Sequence, residues 1–139
     1  MSQMTETNAT RFLHIAFAIG DYTAGAATGI LTAAAVRAVV GPETDMVIAM
    51  LLGMVVGMAV HLPLGLLLSP LLGAFHVMVP GSLIGMYGGM LFAMRDSMQP
   101  HQGSAAGSIA VGAAFGLAVT LGLQLYDLVL RRTTHGGEE

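Results

Sequence analysis

The chain has no cysteine, no tryptophan and no lysine. Without cysteine there is neither a disulfide framework nor a thiolate metal site. Charge is scarce: charged residues fill 9% of the 139 positions, against 55% that are hydrophobic. Few water-soluble domains of this size could cover an apolar core with so little charge. The net charge of −3 and the lack of a basic tract argue against a nucleic-acid partner. No glutamate lies inside an apolar run, which removes a di-iron carboxylate bundle. There is no Gly-x-Ser-x-Gly elbow and no phosphate loop. No catalytic residues are expected, and the chain does not read as an enzyme.

Long apolar runs are what the sequence does have. Four of them, at about residues 12–36, 46–68, 75–94 and 105–130, match the roughly 20 residues a helix needs to cross a bilayer. Arg11, Arg37, Glu43, Asp45, Arg95, Asp96, Arg131, Arg132, Glu138 and Glu139 lie between or outside them. The runs do not alternate in polarity, so a β-barrel is not expected. Gly41-Pro42, Ser69-Pro70 with Gly73, and the polar stretch 95–104 separate them. The sequence therefore predicts an all-α membrane protein: one domain over 1–139, a four-helix transmembrane bundle with short loops.

Residues 1–10 are polar without a basic n-region, so the first run reads as a permanent span. Arg11, Arg131 and Arg132 share one side, Arg37 and Arg95 the other. The count of basic residues points to a multi-pass protein of a bacterial inner (cytoplasmic) membrane with both termini cytoplasmic.

Small residues recur every four positions: Gly25 and Gly29, Gly53 and Gly57, Gly81, Gly85 and Gly89, Gly112 and Gly116. Between helices in lipid there is little hydrophobic force, and close backbone approach over small residues holds them together. This pattern predicts small-xxx-small packing, within a homo-oligomer or a larger membrane complex.

Methionine carries the chemical signal. Met46, Met50, Met54 and Met58 form one ladder, and Met86, Met90, Met94 and Met98 another. His61 and His101 follow three residues after each. Four-residue steps drift about 40° each around a helix, so each ladder covers one broad face about 18 Å long. An antiparallel hairpin centred near Leu72 puts Met58 level with Met86, Met54 with Met90, Met50 with Met94, and Met46 with Met98. If the two faces turn toward each other, the ladders match rung for rung. Thioether sulfur is soft and uncharged, so it suits Cu(I) or Ag(I) without burying an anion. Methionine is also a flexible packing residue that fills gaps beside glycine.

The Met-x-x-x-Met repeat beside Gly-x-x-x-Gly spacing resembles the Ctr-type copper transporters over about residues 46–98. That resemblance implies paired methionines ringing an oligomeric pore and passing Cu(I). The chain departs from that pattern in having four spans, no methionine-rich extracellular tail and no cysteine-bearing C-terminus.

Ionisable groups add a second feature. His14, Asp21, Gly25, Thr28 and Thr32 share one helical stripe, and Gly112, Gly116, Thr120, Gln124 and Asp127 another. A carboxylate as deep as Asp21 is costly in a bilayer and marks a functional candidate. Asp21, His14 and His76 are candidates for a proton relay or a metal-release step, with His61 closing the methionine route. Three functions follow. The first is binding or conduction of Cu(I) by Met46, Met50, Met54, Met58, His61, Met86, Met90, Met94 and Met98. The second is a non-catalytic accessory subunit of a larger membrane complex. The third is a proton-coupled carrier centred on Asp21.

Overall fold

One short connection, at 40–45, and one glycine set the path of the first three rods. The computed structural model describes residues 2–99 and 104–135, with side chains for 15–70, 73, 77–99, 104–130 and 133. Helix α1 is Ser2–Val39, α2 is Met46–Leu72, α3 is Ala74–Leu83, α4 is Gly89–Met98 and α5 is Ala105–His135. A π turn, Ile84–Gly88, joins α3 to α4, so these three pieces run on as one rod. The chain thus makes four helical rods, with no strand among the described residues.

Each break has a local cause. At the start of α2, the Asp45 carboxylate accepts from the backbone N–H of Val47 at 2.9 Å and of Ile48 at 3.4 Å. It thereby satisfies donors that a helix start leaves orphaned. Gly41 donates to the Thr44 hydroxyl at 3.2 Å and its carbonyl accepts from Thr44 N–H at 3.1 Å, which tightens the connection. Gly73 ends α2 with φ of 88°, a conformation costly for any residue with a Cβ. The turn is therefore a single residue, and α2 continues through Pro63 and Pro70.

The π turn begins four residues after Pro80, the residue whose missing N–H and bulky ring disturb the helical ladder. Gly85, Gly88 and Gly89 give the backbone room to widen there.

Three helical stretches, Met46–Pro70, Val77–Met98 and Ala105–Leu130, are long and apolar enough to cross a membrane. The third rod differs from the run read at 75–94, because the helix carries on to Met98 and takes Arg95 and Asp96 with it. Helix α1 is the longest at 38 residues, yet its described part does not join the three apolar stretches. Gly20, Asp21, Tyr22 and Thr23 dilute its middle, and Thr28 and Thr32 turn its polar groups inward.

Helix α1 touches every other rod, while the third rod touches α2, α1 and α5. The main apolar cluster lies where α1 meets α2 and the third rod, with Ala33, Val36, Val40, Ala49, Phe92 and Ala93 buried together. Phe115 of α5 closes it, its ring meeting that of Phe92 edge-on at 5.6 Å between centroids.

Candidate functional site

Helix α2 and the third rod meet along a seam of small residues. A Cβ built on Gly57 would collide with the carbonyl of Gly85, and one on Gly85 would lie 2.8 Å from the carbonyl of Gly57. Gly53 and Gly89 exclude each other's Cβ in the same way, and a Cβ on Gly53 would also lie 2.5 Å from that of Ala93. Ala49, one step further, is as fully buried as Ala93. Each four-residue step along α2 is thus answered by a four-residue step back along the third rod.

One step in the other direction the pattern changes. His61 takes the place of a glycine, and its ring edge, Cε1 and Nδ1, lies where a Cβ on Gly81 would be. On the other side Gly65 faces the ring, its notional Cβ 3.4 Å from Cε1. The imidazole is 5% exposed and has no hydrogen-bond partner among the described residues. The last step pairs the levels of Gly65 and Val77, both buried.

A second seam joins α1 to α5. Gly29 and Gly112 exclude each other's Cβ, and so do Gly25 and Gly116 on one side of their contact. The hydroxyls of Thr28 and Thr120 are turned back onto their own helices, donating to the carbonyls of Ala24 at 2.8 Å and Gly116 at 2.9 Å. Self-satisfied hydroxyls let the faces close without orphaned polar atoms. Thr32 is the exception: its hydroxyl is buried with no partner.

The methionines flank the first seam. Met50, Met54 and Met58 each follow a seam residue of α2 by one position: Ala49, Gly53 and Gly57. Met86, Met90 and Met94 each follow a seam residue of the third rod: Gly85, Gly89 and Ala93. One position turns a helix by about 100°. In an antiparallel pair the same turn in both partners leads to the same side. Both ladders therefore lie side by side on one flank of the pair, their rungs within about 3 Å of level.

The opposite flank faces inward. Val60 and Ala59 of α2 line a groove of about 540 Å³ against Leu31, Ala34 and Ala35 of α1. Ile84, Gly88 and Phe92 of the third rod are buried there.

The methionine flank is thus turned away from α1. Met50, Met54, Met58, Met90 and Met94 are half-buried, while Met46, Met86 and Met98 are exposed. Gly53, Gly57, Gly85 and Gly89, and not the methionines, form the contact between the helices. Glycine occupies that contact because only a residue without a side chain permits so close an approach.

The other candidates fall elsewhere. His61 is in the seam itself. Asp21 is half-buried on α1 and engaged, and Asp127 is exposed on α5 and likewise engaged. The side chains of His14 and His76, and His101 altogether, lie outside the described residues. Among the described residues no three of His, Cys, Asp and Glu gather as a metal-holding group.

Two features escape a reading by apolar runs. Met78 follows buried Val77 by one position, so it extends the flank beyond Met86. Counting back by fours from Met86 through Ser82 would have found it. Asp96 is 5% exposed, and the charges of Arg95 and Arg37 face it. Arg37 also donates from Nη1 to the Ser108 hydroxyl at 3.3 Å. One polar cluster thus ties α1, α4 and α5 at the end that carries the α1–α2 connection. No spacing rule signals it, because its members come from three separate helices.

Comparison with protein-family models, with curated proteins and with solved structures gives no match.

Proposed function

We propose that the chain is a membrane-embedded four-helix bundle, packed through small-xxx-small contacts, that binds or conducts a soft monovalent metal ion, Cu(I), along its methionine flank. What carries this reading is the glycine contact of Gly53 and Gly57 with Gly89 and Gly85, which leaves the following methionines of both helices on one flank with rungs about 3 Å from level. Thioethers from two helices then lie within reach of one ion, and thioether is the neutral donor that suits Cu(I). Met50, Met54, Met90 and Met94 form the central rungs. Met46 and Met98 lie at one mouth, and Met58 and Met86 toward the other. Stacked weak sites favour passage, because an ion must leave as well as enter.

A cation on a lipid-facing surface is costly. The flank therefore works when covered, and a homo-oligomer in which copies face one another through their methionines supplies that cover. Asp21, with His14 and His76, remains the candidate group for proton coupling or release.

The test is competition for Cu(I) against a colorimetric chelator, comparing the wild type with a Met50/Met54/Met90/Met94→Leu variant. Leucine keeps the volume roughly and removes the sulfur. The expected result is loss of chelator-competing affinity in the variant; equal affinities reject the reading.

A second reading rests on a different observation. Met46, Met86, Met98, Leu66, Leu67 and Tyr126 are exposed and apolar, as a bundle that docks on other membrane helices requires. In that case the chain is a non-catalytic accessory subunit of a larger membrane complex. Co-migration with a large complex from native membranes in mild detergent, without bound metal, selects it over the first.

A further inference from the structure

The methionine flank has a gap, and the gap coincides with His61. After Met58 on α2, the next flank position is Leu62; before Met86 on the third rod, it is Ser82. Neither offers sulfur at that level, and the Ser82 hydroxyl is committed to the carbonyl of Val79 at 2.9 Å. Sulfur returns one step further, at Met78. At the level between, the seam departs from its small-residue pattern and places an imidazole instead.

Its burial, its slot and its neighbours on the two helices bear on that ring. It is buried to 5% exposure without a hydrogen-bond partner among the described residues. The ring also lies in a slot formed by the absent side chains of Gly65 and Gly81. Finally, sulfurs bracket it: Met58 is one turn before His61 on α2, and Met78 is one turn before Gly81 on α3.

We infer that His61, with Met58 and Met78, forms a mixed nitrogen–sulfur site for a soft monovalent cation at the inner end of the methionine flank. This site rests on the soft-metal reading given above and adds its nitrogen donor. A neutral imidazole brings no anion into the membrane, and it suits copper as thioether does. Two sulfurs and one nitrogen bind more firmly than thioethers alone, so an ion moving along the flank would dwell here.

The experiment uses the full chain in detergent, with ¹⁵N-labelled histidine and ¹³C-methyl methionine, titrated with Ag(I) as a redox-inert stand-in for Cu(I). His61→Gln assigns the His61 ring signals among the five histidines. The expected result is that Ag(I) shifts the His61 ring nitrogens together with the methyls of Met58 and Met78. Met78→Leu, at a half-exposed position that tolerates the change, then weakens Ag(I) at this site roughly tenfold. Gly122→Ala, on α5 where nothing lies within 4 Å of the added Cβ, leaves the His61 signals as in the wild type.

If methionine methyls shift while the His61 nitrogens do not, the ring is only a filler between two glycines; the inference fails and the soft-metal reading stands. If no signal shifts, both fail.

Discussion

Gly57 and Gly85 approach so closely that neither could carry a methyl group without moving the other's helix. This contact, repeated at Gly53 and Gly89, decides where the methionines go. The helices touch through backbone, and the larger side chains are left on the flanks.

The first prediction follows from that contact. Gly57→Ala and Gly85→Ala overpack a seam that has no space, and each is expected to destabilise the fold by about 1–3 kcal/mol. Gly122→Ala is the control, since nothing lies within 4 Å of its notional Cβ. There alanine's better helix propensity makes the change neutral or mildly stabilising. Thermal unfolding in detergent, followed by circular dichroism, separates the two classes.

The shared flank can be tested by cross-linking, since the chain has no native cysteine to confuse the result. Met54→Cys with Met90→Cys puts two thiols on the same flank, and a short thiol-reactive bridge should join them in high yield. Val56→Cys with Met90→Cys puts one thiol on the side packed against the core cluster. That pair should stay unlinked. Equal yields would mean that the ladders do not lie side by side.

Asp96 is buried, and the cluster around it links three helices. Asp96→Ala would leave Arg37 and Arg95 without the carboxylate they face. Both arginines are half-buried and bear on Asp96 only through their charge, so a loss of about 1 kcal/mol is expected. Arg37→Gln should cost less than the sum suggests when combined with Asp96→Ala, because the two act on one cluster. Additive losses in melting experiments would show that they act separately.

Thr32 gives a prediction of opposite sign. Its hydroxyl is buried without a partner, so Thr32→Val removes a polar atom that gains nothing in the fold. Stabilisation by about 1 kcal/mol is expected. Thr120→Val, which deletes the hydroxyl that donates to Gly116, should lower stability instead. A drop in melting temperature for Thr32→Val would reveal a partner for that hydroxyl.

The helices were legible because long apolar runs and four-residue glycine spacing are local signals. Their ends were less so. The run at 75–94 hides a helix that reaches Met98, since Asp96 is charged and yet buried near Arg37 of α1. The register was legible only to about two residues: Gly57 meets Gly85 and Gly53 meets Gly89, which centres the hairpin one residue before Leu72 and sets the methionine rungs about 3 Å off level. The facing of the ladders was not legible. Periodicity places Met54 and Gly53 on neighbouring faces, and nothing local decides which of them turns to the partner.

The sequence by itself determined an apolar, cysteine-free helical protein with thioethers in two ladders of equal rhythm, because length, composition and period are properties of each segment alone. Tertiary structure decided that glycine takes the contact, that both ladders share the flank away from α1, and that His61 lies between Gly65 and Gly81. The reason is packing: the closest approach of two helices goes to the residues without side chains, and every larger group is placed by what that approach leaves open.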